Sequence, residues 1–488
     1  MAPSSSPNEL LNIAAIHVRE GHYAEAMDIY ASALAQNAAL PDAWFNLAWL
    51  QRATRRFDDA LASYAQALSH GLAQPEQAHL NRAAILSEHL QRSDDAETEL
   101  RSALRINPRF VPALLNLGNL HEDRGQPDQA IAAYRDALAV QPGNGRAHER
   151  LGMIDVHLGR ADSAVARLKA ALAQAGSVED RAEMLFALGT ALDAQACYDD
   201  AFQAFEAANW LARSVARRRY DPLAQEGLID AIIAAVPRPL PFADRKDGAP
   251  LFICGMFRSG STMAEQMLGR HPAITAGGEL DFIPAMILSE LQPYPQSLGD
   301  FTASRSSQLR ADYEAALDKA GLGNGLITDK RCDNFLHIGL IKALFPEAKI
   351  VHTVRQPLDN LLSIYFLHFG EGVTYGHDLR EAAHFYVQYR RLMNHWRELF
   401  PDDIYDLDYD QLVVSPRKTV EPLLSFLGLG WDESCLASKS NVVRTASSWQ
   451  VRQPLHARSS GRWRHYQHHL KEARQILAAG GLDGIGTE

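Results

Sequence analysis

Small residues recur at a nearly constant spacing along the first 215 residues of the chain. Six alanines are 34, 36, 34, 34 and 37 residues apart: Ala26, Ala60, Ala96, Ala130, Ala164 and Ala201. A bulky side chain stands four residues after each of them, and another alanine stands seven residues after. An ordinary helical bundle has no reason to keep such a period, whereas stacked repeats do, because each unit buries its apolar face against the next. We therefore predict an all-α repeat domain of about six repeats over residues 1–215.

This pattern resembles the tetratricopeptide repeat, whose period is about 34 residues. Small residues mark the place where two antiparallel helices approach closely, and the bulky residue fills the gap against the next unit. Six units would form a superhelix with a concave face, so the resemblance implies a module that holds a protein or peptide. Candidates to line that face are Asn46, Asn81, Asn116 and His148, for which solvated surface positions are the equal alternative.

The composition limits the partners and the location that we expect. Hydrophobic residues make up 47% and charged residues 22% of the chain, as in an ordinary globular protein. The net charge of -11 argues against a general nucleic-acid binder, which needs a basic surface. The first residues lack the positive flank and apolar core of a signal peptide, and no apolar run reaches the roughly 18 residues of a membrane span. We therefore expect a cytoplasmic protein with no nucleic-acid partner and no membrane span.

The pattern changes after the repeats. Residues 216–248 contain three consecutive arginines and a proline-rich stretch at 237–241, which is typical of a connector. Over residues 249–488, short apolar runs such as 251–254 and 349–354 alternate with helical stretches. This order predicts an α/β domain with a parallel sheet and with ligand loops at the carboxyl ends of the strands.

A glycine-spaced loop follows the first of these strands. Residues 255–262 read Gly-Met-Phe-Arg-Ser-Gly-Ser-Thr, which is typical of a phosphate-binding loop that leads into a helix. Ser261 stands where the nucleotide triphosphatase pattern requires lysine, so a nucleotide other than ATP is expected. The alternative is a plain glycine-rich turn between a strand and a helix.

At these residues the chain resembles the sulfotransferases, in particular the tyrosylprotein sulfotransferases and the bacterial proteins that fuse tetratricopeptide repeats to such a domain. The resemblance spans about 249–465 and implies a P-loop-type sulfotransferase fold that uses 3′-phosphoadenosine-5′-phosphosulfate (PAPS) and no metal. The family's loop for the 5′-phosphosulfate corresponds here to Arg258, Ser259, Gly260, Ser261 and Thr262. The family's pair for the 3′-phosphate corresponds to Arg355 and Ser363, eight residues apart.

The resemblance also implies catalytic residues. Glu279 stands 21 residues after the loop arginine, where the tyrosylprotein branch has its base, and a solvated turn glutamate is the alternative. Lys330 matches the lysine that stabilises charge on the bridging oxygen, and Ser447 matches the serine that assists the transferring group. Tyr409 matches a tyrosine that packs near the adenine. Arg462 stands where the family has a lysine that reaches the 3′-phosphate.

Neither the cysteines nor the histidines predict a metal site. The four cysteines are scattered without C-x-x-C pairing, at Cys197, Cys254, Cys332 and Cys435. The C-terminal histidines His465, His468 and His469 have helix-face spacing, but no carboxylate or thiolate motif accompanies them in the sequence. A solvated basic helix is therefore the favoured interpretation.

Together these features predict an enzyme that moves a sulfuryl group from PAPS to an acceptor hydroxyl. Protein tyrosine is favoured as acceptor because repeats are suited to present a peptide, and a small phenol, sugar or lipid hydroxyl remains open. The alternatives are a repeat adaptor with a degenerate nucleotide-binding domain, or a P-loop kinase with an unusual loop. The missing lysine after Gly260 counts against the kinase, and the pair Arg355 and Ser363 counts against a degenerate site.

Overall fold

The structure is a computed structural model that describes residues 6–90, 92–244, 248–322, 325–437 and 460–482. It divides into two units, Met1–Ala191 and Leu192–Glu488. Each unit has its own core, and the two are described in turn.

The first unit consists of helices joined by short turns, and neighbours in sequence pack as antiparallel pairs. Proline at the first turn of several helices fits the start of a helix, where its missing N–H has no partner to lose. The helices are α1 Pro7–Glu20, α2 Tyr23–Gln36, α3 Pro41–Ala53, α4 Phe57–Ser69, α5 Pro75–Glu88, α6 Ser93–Ile106, α7 Val111–Asp123, α8 Pro127–Val140, α9 Gly145–His157, α10 Ala161–Leu172 and α11 Val178–Ala194.

Close approach of paired helices explains the periodic small residues. Ala60, Ala96 and Ala130 are all fully buried at 0% exposure. At Gly118 of α7, a Cβ atom would lie 2.4 Å from the ring of Tyr134 on α8. The ring therefore fills the space that a larger residue at 118 would need. The predicted tetratricopeptide arrangement of small and bulky positions is confirmed.

The second unit alternates strands and helices. Its elements are α12 Tyr198–Val215, α13 Pro222–Ala235, β1 Leu251–Gly255, α14 Ser261–Leu268, β2 Ile274–Ala276, α15 Phe282–Glu290, α16 Ala303–Lys319, β3 Leu326–Lys330, α17 Ile338–Leu344, β4 Ile350–Val354, α18 Pro357–Tyr365, α19 Leu379–Leu399, β5 Ile404–Asp408, α20 Tyr409–Val414, α21 Pro416–Phe426 and α22 Lys471–Ala479. Short 3₁₀ segments also occur, including Cys332–His337 and Arg462–Leu470.

Within the described residues, the strands form a five-stranded sheet in the order β2-β3-β1-β4-β5, and every neighbouring pair is parallel. The central strand β1 is buried along its whole length, as expected for a parallel sheet covered on both faces. Because all strands run the same way, their carboxyl ends meet at one edge. Gly255, Lys330, Val354 and Asp408 end four of the strands there. The predicted fold class, a parallel-sheet α/β domain preceded by an all-α repeat region, is confirmed.

Helix α12 carries the last of the periodic alanines, yet it belongs to the second unit. The ring of Phe205 stacks on Phe366 with 4.0 Å between centroids, and Asn209 donates a hydrogen bond to the carbonyl of Tyr365 at 2.8 Å. The predicted connector, residues 216–248, contains helix α13. The domain limits drawn at residues 215 and 248 stay predictions.

None of the helices in the described ranges combines the length and the apolarity needed to cross a bilayer. The cellular location of the protein stays a prediction.

Candidate active site

The glycine-spaced loop connects β1 to α14 through an unusual backbone. Gly260 has a φ of 102°, which favours glycine, and Arg258 has a φ of 67°, which is uncommon for a residue with a side chain. Ser259 holds the loop: its hydroxyl donates to the carbonyl of Met256 at 2.7 Å and lies 2.7 Å from the hydroxyl oxygen of Thr353. Strained backbone of this kind persists where surrounding contacts fix it, and it is common at binding sites.

The start of α14 is built to face an anion. Gly260 occupies the N-cap position and has no side chain to accept hydrogen bonds from the first turn. The amide groups of that turn therefore point toward the loop with the positive end of the helix dipole. Ser261 and Thr262 are buried in this turn, and the hydroxyl of Ser261 lies 3.4 Å from the sulfur of Cys332.

Two arginines meet beside the loop. The Nε of Arg258 donates to the hydroxyl of Ser363 at 3.1 Å, and Nη1 of Arg355 donates to the carbonyl of Arg258 at 3.1 Å. Arg355 directly follows β4 and Ser363 lies on α18, so the structure brings together the arginine–serine pair and the loop arginine that the sequence predicted.

The electrostatics of this cluster favour an anionic ligand. Burial, together with the smaller effect of the Arg355 charge, lowers the pKa of Arg258 to about 10. Burial likewise lowers the pKa of Arg355. Burial therefore disfavours the charge of both guanidinium groups, and a bound phosphate dianion would offset this effect.

Tyr409 closes this side of the loop. The Arg355 guanidinium lies 4.9 Å from the centre of the Tyr409 ring, a cation–π arrangement. The same ring covers Gly260, where a Cβ atom would lie 2.4 Å from the Tyr409 side chain. Tyr409 thus packs against the backbone of the loop, and its predicted place near an adenine stays a prediction.

Arg462 is fixed from the C-terminal segment. Its guanidinium pairs with Asp193 through Nε at 3.0 Å and Nη2 at 2.8 Å, and it lies 4.8 Å from the centre of the Phe366 ring. The buried carboxylate of Asp359 anchors the segment by accepting from the backbone N–H groups of Gly461 at 2.6 Å and Trp463 at 2.7 Å. The charge of Arg462 also lowers the pKa of Arg258 and Arg355, after the larger effect of their burial. It therefore adds to the positive potential of the cluster.

Glu279 and Lys330 form an ion pair at the same edge of the sheet. Nζ of Lys330, at the end of β3, donates to Oε1 of Glu279 at 2.5 Å. The lysine side chain is 2% exposed, whereas that of Glu279 is 56% exposed. Burial alone would lower the pKa of Lys330, but the carboxylates of Glu279 and Glu265 outweigh it and raise that pKa. A buried lysine is thus held at the sheet edge beside an accessible carboxylate, which favours its charged form.

A buried glutamate that the sequence motifs did not reveal positions this pair. Glu265 lies on α14, and its Oε1 accepts from the N–H of Gly278 at 2.9 Å and from the hydroxyl of Thr328 at 2.6 Å. Thr328 in turn accepts from the N–H of Gly277 at 3.0 Å. The turn that carries Glu279 is therefore tied to the helix that follows the loop. In the sequence, Glu265 is marked only as a charged residue among apolar neighbours on a short helix.

His352, on β4, lies inside the sheet domain. Its side chain is fully buried. Its Nδ1 lies 2.6 Å from Oδ1 of Asp406, and its Nε2 contacts the hydroxyl of Tyr389. Both ring nitrogens are thus engaged inside the sheet domain. Ser447, the remaining predicted catalytic residue, lies outside the described residues.

Comparison with known proteins finds family matches in both parts of the sequence. Residues 250–433 match the model of the sulfotransferase family, and residues 17–85 and 115–176 match two tetratricopeptide repeat models. An uncharacterized protein of Aquifex aeolicus (strain VF5) is 32% identical over 324 residues, which cover 62% of this chain and 42% of that protein. The chain therefore spans less than half of that relative's length.

Two further similarities concern the sheet domain. Protein-tyrosine sulfotransferase 1 of Danio rerio is 25% identical over 253 residues, 46% of this chain and 68% of that protein. The sulfotransferase domain of the Synechococcus PCC 7002 olefin synthase aligns with a TM-score of 0.36 at 20% identity, over 50% of this chain and 96% of that domain. The family match and the repeat matches confirm the predicted resemblance: residues 250–433 match the sulfotransferase family, and the tetratricopeptide repeat matches precede them in sequence.

Proposed function

We propose that this chain transfers a sulfuryl group from PAPS to an acceptor hydroxyl. The observation that carries the proposal is the meeting of two sets of side chains at the carboxyl edge of one sheet. One set is the cationic cluster of Arg258, Arg355 and Ser363 beside the loop. The other is the Glu279–Lys330 pair. A phosphate-binding cluster with a base and an ammonium at the same edge suits group transfer from an activated phosphate ester.

The residues present fit such a donor. Gly260 caps α14 without a side-chain acceptor, so the amide groups of the first helical turn, with Ser261 and Thr262, are offered to the 5′ end. Arg355, with Ser363 nearby, offers a cation and a hydroxyl to the 3′-phosphate. The loop lacks the lysine that triphosphate nucleotides require. Bound PAPS would supply an activated sulfuryl group, which the protein's own groups must orient.

Glu279 and Lys330 then have complementary tasks. Glu279 accepts the proton of the acceptor hydroxyl, while a bond forms from that oxygen to sulfur and the bond from sulfur to the 5′-phosphate oxygen breaks. Lys330 neutralises the negative charge that develops on that phosphate oxygen. Because Glu265 also faces Lys330, the ammonium keeps a nearby carboxylate when Glu279 turns toward the acceptor. Ser447 is proposed to assist the transferring group, and Arg462 and Tyr409 to complete the donor site.

The acceptor that we propose is a protein tyrosine. This part rests on the name of the Danio rerio relative and on the presence of repeats suited to hold polypeptides. The repeats use some of their own polar groups internally: Asn46 hydrogen-bonds the hydroxyl of Tyr30, and His148 lies 2.9 Å from the carbonyl of Pro142. Both side chains thus have a contact within the repeats themselves. A small-molecule hydroxyl is the second candidate.

Incubation with sulfur-labelled PAPS tests the proposal. The purified chain is offered tyrosine-containing peptides, matched peptides with phenylalanine, and simple phenols, and the labelled products are separated. Label on the tyrosine peptides, absent from the phenylalanine peptides and from a Glu279→Gln sample, supports it. Donor binding without transfer to any hydroxyl would favour the adaptor with a degenerate site instead.

A further inference from the structure

The side chains of two histidines and one aspartate lie close together in the second unit. Asp199 lies near the start of α12, and His468 and His469 lie at the end of the 3₁₀ segment Arg462–Leu470. Nε2 of His468 is 2.8 Å and Nε2 of His469 is 3.1 Å from the same carboxylate oxygen, Oδ1 of Asp199. All three potential ligand atoms lie within 4.8 Å of one another.

One of the two imidazole rings is held in place by stacking on an aromatic side chain. His469 stacks on Phe202 with 3.8 Å between centroids and 7° between planes. His465, three residues before His468, stacks instead on Tyr198 at 4.2 Å and 12°. The segment therefore presents two imidazoles toward Asp199 and holds a third against a different ring. A fixed ring orientation reduces the entropy that ligand binding would otherwise cost.

We propose that Asp199, His468 and His469 bind a divalent transition-metal ion of the Zn²⁺ type. Two imidazole nitrogens and a carboxylate oxygen suit Zn²⁺, Ni²⁺ and Cu²⁺, and they suit Mg²⁺ and Ca²⁺ poorly. The site is at the surface, with Asp199 and His468 more than half exposed, so water can complete the coordination shell. The sequence favoured a solvated basic helix because no carboxylate stands near the histidines. The carboxylate comes from 269 residues earlier.

The site would join two parts of the second unit that also meet near the donor-binding cluster. Asp193, in the last turn of α11, belongs to the second unit, which begins at Leu192. It pairs with Arg462 and accepts from the hydroxyl of Tyr466, both in the 3₁₀ segment. An ion bound by Asp199 and the two histidines adds a second cross-link between that region and the same segment. Metal binding is therefore expected to stabilise the placement of Arg462. Metal binding should then also strengthen nucleotide binding, a consequence that rests on the proposed function.

Calorimetric titration of ZnCl₂ into tag-free, chelator-treated full-length protein tests the site. A second group, His17, Glu20 and His22, lies in the first unit, so the titration is made in a His17→Gln, His22→Gln background. We expect one equivalent of Zn²⁺ in this background and in His465→Gln, the matched control. Asp199→Asn and His468→Gln should each weaken binding at least about tenfold. Equal binding in all four proteins, or none in the background protein, overturns the proposal.

Nucleotide affinity separates the metal site from the function. Titration of adenosine 3′,5′-bisphosphate, the product that PAPS would leave, is repeated with and without Zn²⁺. Zinc that binds through Asp199 and the histidines but leaves the protein unable to bind this nucleotide supports the metal site and contradicts the proposed function. Circular dichroism of each variant without metal, unchanged from wild type, shows that lost zinc binding does not arise from unfolding.

Discussion

Nζ of Lys330 lies 2.5 Å from Oε1 of Glu279, and this bond joins a buried ammonium to an accessible carboxylate. The lysine has a second carboxylate neighbour, Glu265, whose charge also raises its pKa. Burial raises the pKa of Glu265 and the charge of Lys330 opposes that rise, so these two groups remain coupled when Glu279 turns away. That arrangement allows Glu279 to act on the acceptor without leaving a buried, unpaired cation behind.

The donor should be recognised by its 3′-phosphate. Because Arg355 follows β4 directly and Arg258 lies beside it, adenosine 3′,5′-bisphosphate should raise the melting temperature by mass action, and ATP should raise it much less. Arg355→Lys keeps a charge but loses the planar donors, so it should weaken this nucleotide about tenfold or more. Thermal shift and calorimetry measure both effects. Equal stabilisation by the two nucleotides would contradict the assignment of the donor.

Glu265 should act as a positioning residue. Glu265→Ala leaves the buried N–H of Gly278 and the hydroxyl of Thr328 without their acceptor, which should destabilise the protein by about 2 kcal/mol or more. Turnover should fall more than nucleotide affinity, because the turn that carries Glu279 loses its anchor. Glu265→Gln keeps an acceptor oxygen and should recover most of the turnover. Wild-type kcat in Glu265→Ala, or no recovery in Glu265→Gln, would show that this anchoring is unimportant.

Asp329 should make stability fall as pH rises. Burial raises its pKa to about 7, whereas an unfolded aspartate titrates near pH 3.9. The folded state therefore binds the proton more tightly, and its contribution to stability is complete below about pH 4 and lost as pH rises toward 7.

Asp329→Asn isolates this effect, since it cannot ionise and keeps one acceptor oxygen for Tyr313, which donates to Asp329 at 2.6 Å. The unfolding free energy of the variant, relative to wild type, should increase by about 1 kcal/mol or more between pH 5 and pH 8. Denaturant titrations at both pH values measure the difference. A difference that does not change with pH would mean that Asp329 is ionised throughout.

The effect of replacing a glycine of the repeats by alanine should depend on the side chain that the new methyl group contacts. At Gly118 a Cβ atom would lie 2.4 Å from the rigid ring of Tyr134, and at Gly152 it would lie 2.9 Å from the end of the Leu168 side chain. Gly118→Ala should destabilise the first unit by about 1–3 kcal/mol, and Gly152→Ala by less, because a leucine can change rotamer. Thermal unfolding of the two variants compares them directly. A larger loss for Gly152→Ala would contradict this account of the helix contacts.

The sequence predicted those parts of the molecule that depend on local spacing. The alanine period predicted the helix pairs, and the glycines around Arg258 predicted the loop. Both patterns follow from backbone geometry within a few turns. The contacts of Glu265 with Thr328 and of Arg462 with Asp193 join residues 63 and 269 positions apart in the chain, so no local pattern could reveal them. The place of α12 in the second unit likewise depends on ring contacts such as Phe205 with Phe366.

The most direct test of the central claim is the single-turnover rate of sulfuryl transfer from PAPS in wild type and in Glu279→Gln. The variant keeps the size of the side chain and removes the base. Its rate should therefore fall by about 10² to 10⁴, while the affinity for adenosine 3′,5′-bisphosphate stays nearly unchanged. An unaltered rate of transfer in Glu279→Gln would show that another group takes the proton and would contradict the proposed mechanism.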